Sequence, residues 1–264
     1  MSYLPITILA YLLNSIAVTI DKVLLNKSIP NPLTYVFYIS MFSLVMLLAL
    51  PFTHLPNAPV FILASMSTLF WTLGAYLMFK AIKIGKVSSV VPIIGTLIPL
   101  LLLIHAAFFA VLPQSQLVAA GVLILGLIIL VLPQFQPGKE IFWEFLSALF
   151  FALSYLILRE AYLRENFLTV LVYSRFILIP LGLAFFCVPK TPKKQVGPLF
   201  LLGQGMGGAS QLLLTYAISL ATPALVNSLQ GIQYIFLFFF SLWVFKEKFS
   251  VLNISGKIIG IGLI

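Results

Sequence analysis

One arginine stands in the middle of an otherwise uncharged apolar stretch. Residues 171–182 read LVYSRFILIPLG, and Arg175 is the only charged residue among them. In lipid, an arginine at a helix centre costs about 2.5–3.5 kcal/mol, so such a residue faces a cavity or a partner. A guanidinium binds carboxylate or phosphate through two parallel hydrogen bonds. Arg175 is therefore predicted either to anchor an anionic ligand or to brace the protein by binding helix-end carbonyls or a carboxylate.

Polar amides form a second group of candidate binding residues. Asn227, Gln230 and Tyr234 follow the spacing i, i+3, i+7, which places them on one face of a continuous helix. Amides in hydrocarbon face other helices or water, so this face either lines a cavity or joins helices through hydrogen bonds. The same reasoning adds Gln211 in the second half of the chain and Asn14, Tyr38 and Trp71 in the first half.

Three titratable residues are candidates for coupling to protons. Asp21 and Glu160 each end an apolar segment beside a basic residue, and they coincide when the chain is shifted on itself by 139 residues. They are interpreted either as carboxyl groups that exchange protons or as capped helix ends at headgroup depth. His105 lies inside an apolar segment and is predicted to be a proton relay or a buried neutral histidine bonded to a neighbouring helix.

The composition shows which solvent surrounds these residues. The chain of 264 residues is 62% hydrophobic and only 8% charged, whereas soluble domains carry about 25% charged residues. Such a chain cannot cover its surface in water, so lipid is its solvent. The formal net charge of +9 does not indicate nucleic-acid binding, because the basic residues stand singly or in short groups between apolar runs. In a membrane protein such charges set the orientation.

The predicted fold is an all-α polytopic membrane protein with ten transmembrane helices. A spanning helix needs about 20 mostly apolar residues, and proline-rich or glycine-rich breaks separate the runs. The first run lacks the basic start and the cleavage pattern of a signal peptide, so we expect it to be retained. Segments 1 to 10 cover residues 3–21, 32–52, 58–80, 87–112, 115–132, 141–159, 167–188, 198–220, 223–245 and 249–264.

The segments form two similar halves. A shift of about 135 residues aligns TYVFYISMF from Thr34 with TVLVYSRFI from Thr169, and AIKIGKVSSVVPIIG from Ala81 with AISLATPALVNSLQG from Ala217. This predicts two five-helix repeats, 1–133 and 134–264, in which Ser40 is the counterpart of Arg175. An odd number of helices per repeat makes the halves inverted, as in many secondary transporters with a site at the midplane.

Several kinds of function are excluded by what the sequence lacks. No GxxxxGK[ST] loop and no HExxH, CxxC or GxSxG motif is present, which argues against nucleotide hydrolysis and against an enzyme. With one cysteine, Cys187, the chain cannot form an internal disulfide or an all-cysteine metal site. We expect no cofactor and no metal. The expected partners are a small-molecule substrate, membrane lipid and a coupling proton.

The chain resembles the drug/metabolite transporter superfamily in its ten-helix form with two EamA-type repeats. The resemblance rests on YLMFKAIKIGKVSSVVPIIGTLIPLL (76–101), on SRFILIPLG (174–182) and on residues 216–262, where Glu247 precedes a glycine-rich last segment. Leu112 and Ser40 stand where the first repeat is expected to have an acid and an arginine. The resemblance implies a secondary carrier of small metabolites, often an exporter, with a central cavity.

The orientation of the termini has two interpretations. The loops after the odd-numbered segments, here called the lysine-rich side, hold eleven lysines, whereas the other side holds Arg159 and Arg164. The positive-inside rule therefore puts the lysine-rich side in the cytoplasm and both termini outside. The resemblance implies the reverse. The lysines counted are Lys22, Lys27, Lys80, Lys83, Lys86, Lys139, Lys190, Lys193, Lys194, Lys246 and Lys248.

These observations together predict a secondary transporter in the cell membrane. It would move a small anionic or zwitterionic metabolite, such as an amino acid, by alternating access between the two halves. Transport would be coupled to protons or driven by exchange. The alternative is a membrane scaffold, or a subunit of a larger complex, that transports nothing itself.

Overall fold

A computed structural model describes residues 3–27, 31–85, 87–109, 111–132, 138–185 and 197–240. Segment 10, Cys187, Glu247 and the end of segment 9 lie outside these ranges. The described residues form helices and connecting turns, with no strand among them. The α-helices are α1 Tyr3–Lys27, α2 Pro32–Ser43, α3 Ala58–Ile84, α4 Val87–Phe108, α5 Gln114–Val131, α6 Ile141–Tyr162, α7 Phe167–Tyr173, α8 Leu178–Phe185, α9 Gly197–Leu220, α10 Pro223–Ser228 and α11 Gly231–Phe240, and a 3-10 helix covers Leu44–Phe52.

Asparagine side chains begin three of these helices. Asn31, Asn57 and Asn166 stand just before α2, α3 and α7, and their side-chain oxygens accept backbone N–H groups at 3.0, 3.0 and 2.9 Å. Each bond satisfies a donor that the first turn of a helix leaves unpaired. The asparagines lie in the breaks between apolar runs, which is why the sequence predicts these helix starts.

Five of the described helical stretches are long and apolar enough to cross a membrane. They are Tyr3–Asp21, Pro32–Phe52, Ala58–Ile84, Val90–Phe108 and Ile141–Tyr162. Large apolar side chains cover much of the outside, and Leu48 and Phe52 are 77% and 79% exposed. A surface of this kind is stable against lipid and not against water. The chain is therefore an integral membrane protein.

Three predicted segments are interrupted helices. Segment 2 changes from α2 to the 3-10 helix, segment 7 divides into α7 and α8, and segment 9 divides into α10 and α11. In the turn of segment 7, the N–H groups of Arg175 and Leu178 bond to carbonyls three residues back, those of Val172 and Arg175, at 3.1 and 3.0 Å. Tight turns of this kind inside helices often mark functional positions.

Two helix pairs form the most extensive contacts, α3 with α6 and α1 with α9. A serine hydroxyl crosses each pair: Ser147 Oγ donates to the Gly74 carbonyl, and Ser210 Oγ donates to the Ala10 carbonyl, both at 2.8 Å. Residues 10 and 147 are 137 positions apart, and residues 74 and 210 are 136 apart. Both spacings are close to the shift of about 135 residues that relates the two predicted repeats.

Candidate functional site

A cavity of about 210 Å³ lies between the two halves of the chain. Its wall is mostly apolar, with Phe42, Met46, Met78, Phe79 and Phe151 among its members. A few polar groups interrupt this wall, as in small-molecule sites, where apolar surface provides contact and polar groups provide orientation. The polar and amphipathic lining residues are Asn14, Asp21, Trp71, Tyr155, Arg175, Gln204, Gln211, Gln230 and Gln233.

Arg175 projects into this cavity from the turn between α7 and α8. Its Nε is buried and has no hydrogen-bond partner. The ion pairs between described residues, His54–Glu165 and Arg164–Glu160, do not include it. A buried guanidinium nitrogen without a hydrogen-bond partner is costly unless a ligand or water binds it. This geometry matches the predicted anion anchor better than the predicted brace, because no carboxylate and no helix-end carbonyl among the described residues is bonded to Arg175.

The brace is instead Arg159, near the end of α6. Its Nη1 donates to the carbonyls of Ile218 and Ser219, at 2.8 and 2.7 Å. These are among the last carbonyls of α9, which have no partner within their own helix. The sequence does not predict this role for Arg159, because nothing local shows that α6 and α9 end side by side.

Hydroxyl groups surround Arg175 on the side away from the main cavity. A small space of about 20 Å³ lies there, large enough for one water molecule. The Ser67 and Ser154 hydroxyls are 3.3 Å apart across it and join α3 to α6. Tyr162, Ser174 and Thr215 complete this hydroxyl layer, which sequence analysis did not single out.

Amide side chains also line the cavity. Asn14 Nδ2 donates to Gln233 Oε1 at 3.2 Å, and Ser15 Oγ donates to the Gln233 carbonyl at 3.1 Å. The buried Gln230 Oε1 has no hydrogen-bond partner. Gln211 lines both the main cavity and the small space beside Arg175. The predicted positions of Asn14, Gln211 and Gln230 on a cavity wall therefore agree with the structure, although their role in binding stays a prediction.

Asn227 and Tyr234 do not line the cavity. Gln230 and Tyr234 nevertheless both lie against Gly95 of α4, and Tyr234 joins helices, which is the other role predicted for this face. Segment 9 is interrupted between Ser228 and Gly231, so the spacing of a continuous helix does not apply. Asn227 Nδ2 donates to the Pro223 carbonyl at 2.9 Å inside α10. The Tyr234 hydroxyl donates instead to the carbonyls of Val91 and Pro92 on α4, both at 3.3 Å.

The two aromatic candidates of the first half have different surroundings. Trp71 lines the cavity and meets the Phe151 ring edge-on, with the centroids 6.0 Å apart. Tyr38 is outside the lining and packs against Phe37 and Phe200, at centroid distances of 5.6 and 6.0 Å. Tyrosine at a helix contact is ordinary packing, so the expected cavity position holds for Trp71 and not for Tyr38.

Asp21 is the coupling candidate that lies in the cavity wall. It accepts a hydrogen bond from the Tyr35 hydroxyl of α2. A Cβ atom added to Gly203 would lie 3.9 Å from Asp21 Oδ1, so α9 passes close to this carboxyl group. Gln204, the next residue of α9, also lines the cavity and is a hydrogen-bond neighbour of Tyr35.

Glu160 and His105 lie together in a separate cavity of about 400 Å³ at the ends of α4 and α6. Glu160 is 3.6 Å from Arg164 Nη2, and more than half of its side chain is exposed. The His105 ring stacks against Phe109, with centroids 4.7 Å apart. Asp21 and Glu160, which coincide in the shifted sequence, therefore occupy different environments.

The cavity extends from Arg175 toward the lysine-rich side. Its lining includes Asp21 and Phe79 near the ends of α1 and α3, and Val91 and Gly203 near the starts of α4 and α9. The hydroxyl layer lies beside Arg175, at the other end of this lining.

At the surface of that other side, His54 Nε2 and Glu165 Oε2 are 3.0 Å apart and join the loops that precede α3 and α7. The backbone N–H of Asn166 and the His54 side chain lower the pKa of Glu165. An ionised Glu165 thus helps to hold the two loops together on that side.

Comparison with known proteins gives a family for the second half of the chain. The model of the EamA-like transporter family matches residues 138–264. No curated protein matches significantly. A solved structure described only as "Crystal structure of protein" has a TM-score of 0.70 at 13% identity, over 98% of this chain and 94% of that one. At this identity the likeness concerns the fold alone.

Proposed function

We propose that this chain, whose second half is an EamA-type domain of the drug/metabolite transporter superfamily, is a secondary transporter of a small anionic or zwitterionic metabolite. It works in the cell membrane by alternating access, with proton coupling or exchange as the driving force. The observation that carries the proposal is the buried Arg175 guanidinium, which lines the central cavity without a protein partner for its Nε.

The proposed architecture is ten helices in two inverted repeats, 1–133 and 134–264. The two main helix contacts support it, because α3 packs against α6 and α9 packs against α1. In the predicted repeats, segment 3 (α3) corresponds to segment 8 (α9), and segment 6 (α6) corresponds to segment 1 (α1). The interruptions of segments 2 and 7, which also correspond, give further support. Inverted repeats place a substrate site between the halves, where Arg175 lies.

The proposed substrate combines a carboxylate with an apolar body. Arg175 suits the carboxylate, since a guanidinium offers two parallel donors. Trp71, Phe151 and Tyr155 suit the apolar part. The free Gln230 oxygen is an acceptor for an ammonium group. An amino acid with a large apolar side chain fits these groups, and so does an aromatic carboxylate.

The proposed transport cycle starts from a conformation open toward the lysine-rich side. The positive-inside rule puts that side in the cytoplasm, so the conformation is the one that loads or releases substrate there. Opening the other side requires separation of the hydroxyl layer and of the His54–Glu165 contact. Both contacts are neutral or exposed and cost little to break, as a cycling carrier requires.

Proteoliposomes test the proposal. The purified full chain should accumulate radiolabelled L-phenylalanine, L-leucine or phenylacetate when a proton gradient or an internal pool of the same compound is imposed. Protein-free liposomes give the background. If no compound in a wider panel of amino acids and carboxylates shows flux, and the chain co-purifies with a fixed partner, the carrier proposal is wrong and the scaffold alternative holds.

A further inference from the structure

We propose that Asp21 is the site of the coupling proton, and that it responds to the substrate through the charge of Arg175. The proposal rests on the proposed function, since it gives that transporter its coupling ion. The anion and the proton then bind together, and the protein is a symporter of the two.

Both charged side chains line the same cavity, at opposite ends. Asp21 lies beside Gly203 of α9, and Arg175 shares its small hydroxyl-lined space with Gln211 of the same helix. Eight residues separate positions 203 and 211, which corresponds to roughly 12 Å at 1.5 Å per residue. No ion pair joins the two groups among the described residues, and the spacing along α9 puts them close enough to sense each other's charge.

The expected coupling follows from electrostatics. Two unit charges about 12 Å apart, at an effective dielectric constant of about 20, change each other's ionisation by roughly tenfold. When no substrate is bound, the positive charge of Arg175 favours the ionised form of Asp21. When a substrate carboxylate neutralises Arg175, this support is lost and Asp21 takes up a proton from the lysine-rich side. By linkage, a proton on Asp21 strengthens anion binding by the same factor.

The surroundings of Asp21 suit a group that changes its charge. Among the described side chains, the titratable groups around it are Tyr35 of α2, which donates to it, and Arg175 and Tyr155 across the cavity. Gln204 of α9 is neutral and neighbours Tyr35. When the Asp21 carboxylate becomes protonated, the Tyr35 hydroxyl thus has Gln204 as a second partner. Glu160 lies outside this cavity and is paired with Arg164, so it does not share this linkage.

Infrared difference spectroscopy of the full chain in lipid nanodiscs tests the linkage without any substrate. The protonated carboxyl band is followed as pH is raised. We expect Asp21→Asn to abolish one titrating band and Glu160→Gln, the matched control, to leave that band unchanged. Arg175→Gln should move its midpoint up by about one pH unit, since loss of the cation removes roughly tenfold stabilisation of the carboxylate. Arg175→Lys should keep the wild-type midpoint.

An unchanged midpoint in Arg175→Gln overturns the proposal, and so does the absence of any band that Asp21→Asn removes. Far-ultraviolet circular dichroism of each variant checks that the helices are retained. The two failures are distinguishable. If the wild type transports substrate but Arg175→Gln leaves the midpoint unchanged, the linkage is wrong and the transport function stands. If Arg175→Gln moves the midpoint but the wild type transports no compound, the transport function is wrong.

Discussion

Two buried or half-buried arginines of the second half differ in what they bind. Arg159 holds two carbonyls at the end of α9, whereas Arg175 has an unpartnered Nε at the cavity. The guanidinium of Arg159 is thus bonded within the protein, whereas the Nε of Arg175 is left for a ligand. Only the second is a candidate for substrate binding.

The brace role of Arg159 predicts a loss of stability on substitution. Arg159→Ala removes charge-assisted bonds to Ile218 and Ser219, each worth about 1.5–3 kcal/mol when buried and less here because the side chain is half exposed. We expect a melting temperature several degrees lower in detergent, measured by intrinsic fluorescence. Arg164→Ala, whose partner is an exposed glutamate at 3.6 Å, should melt within experimental error of the wild type. Equal melting of the two variants would show that Arg159 is no brace.

The direction in which a side chain points is predictable from sequence when its polarity alone decides that direction. Arg175, Asn14 and Gln211 line the cavity because a polar group in lipid turns inward wherever its helix lies. Asn227 and Tyr234 are also buried, as their polarity predicts. Which groups they bind depends on an interruption in the backbone that residue spacing does not reveal. The hydroxyl layer is missed because serine and threonine also occur throughout helices without a site.

At the scale of elements, close approach between α4 and α11 depends on Gly95. A Cβ atom there would lie 1.8 Å from Tyr234 Oη and 2.6 Å from Gln230 Nε2. The tyrosine hydroxyl reaches the carbonyls of Val91 and Pro92 only because this position has no side chain. This contact between α4 and α11 holds Gln230 and Gln233 at the cavity wall.

Gly95→Ala should therefore destabilise the protein by about 1–3 kcal/mol through overpacking, measured as a lower melting temperature. Tyr234→Phe in the same chain removes the nearest clashing atom and should restore part of the loss. Gly121→Ala is the matched control, because nothing lies within 4 Å of a Cβ atom there. It should be neutral or slightly stabilising, since alanine favours helix. A harmless Gly95→Ala contradicts the described packing.

Helix starts are predictable from sequence because caps are local, as Asn31, Asn57 and Asn166 show. The interruptions of segments 2 and 7 are not, since no proline or glycine lies at the Ser43–Leu44 junction, and Pro180 follows the turn of segment 7. These interruptions depend on what packs against them.

At the scale of the whole molecule, the described lining of the cavity extends from Arg175 toward the lysine-rich side. Membrane insertion follows from the composition, and the shifted sequence predicts two similar halves. Which helices of opposite halves meet, and on which side the cavity extends, depend on long-range packing between α1 and α9 and between α3 and α6. A single sequence carries no direct signal for such pairing.

Cysteine labelling tests the side of the opening. In a Cys187→Ser background, Val91→Cys and Phe79→Cys lie on the cavity wall near the lysine-rich side, whereas Ser154→Cys lies in the hydroxyl layer. A membrane-impermeant maleimide should modify the first two from the lysine-rich side. Ser154→Cys should react far more slowly from either side. Fast labelling of Ser154→Cys from the opposite side would mean that the cavity opens there.

The central claim is that Arg175 holds the anionic group of a transported substrate, and paired uptake measurements test it most directly. Uptake of the best substrate is compared in proteoliposomes containing wild type, Arg175→Ala, Arg175→Lys and the control Arg164→Ala. Loss of a charge-assisted bond predicts roughly a 10–100-fold fall in uptake efficiency for Arg175→Ala. The fall should be smaller for Arg175→Lys, which keeps the charge without the paired donors. Wild-type uptake by Arg175→Ala would contradict the claim.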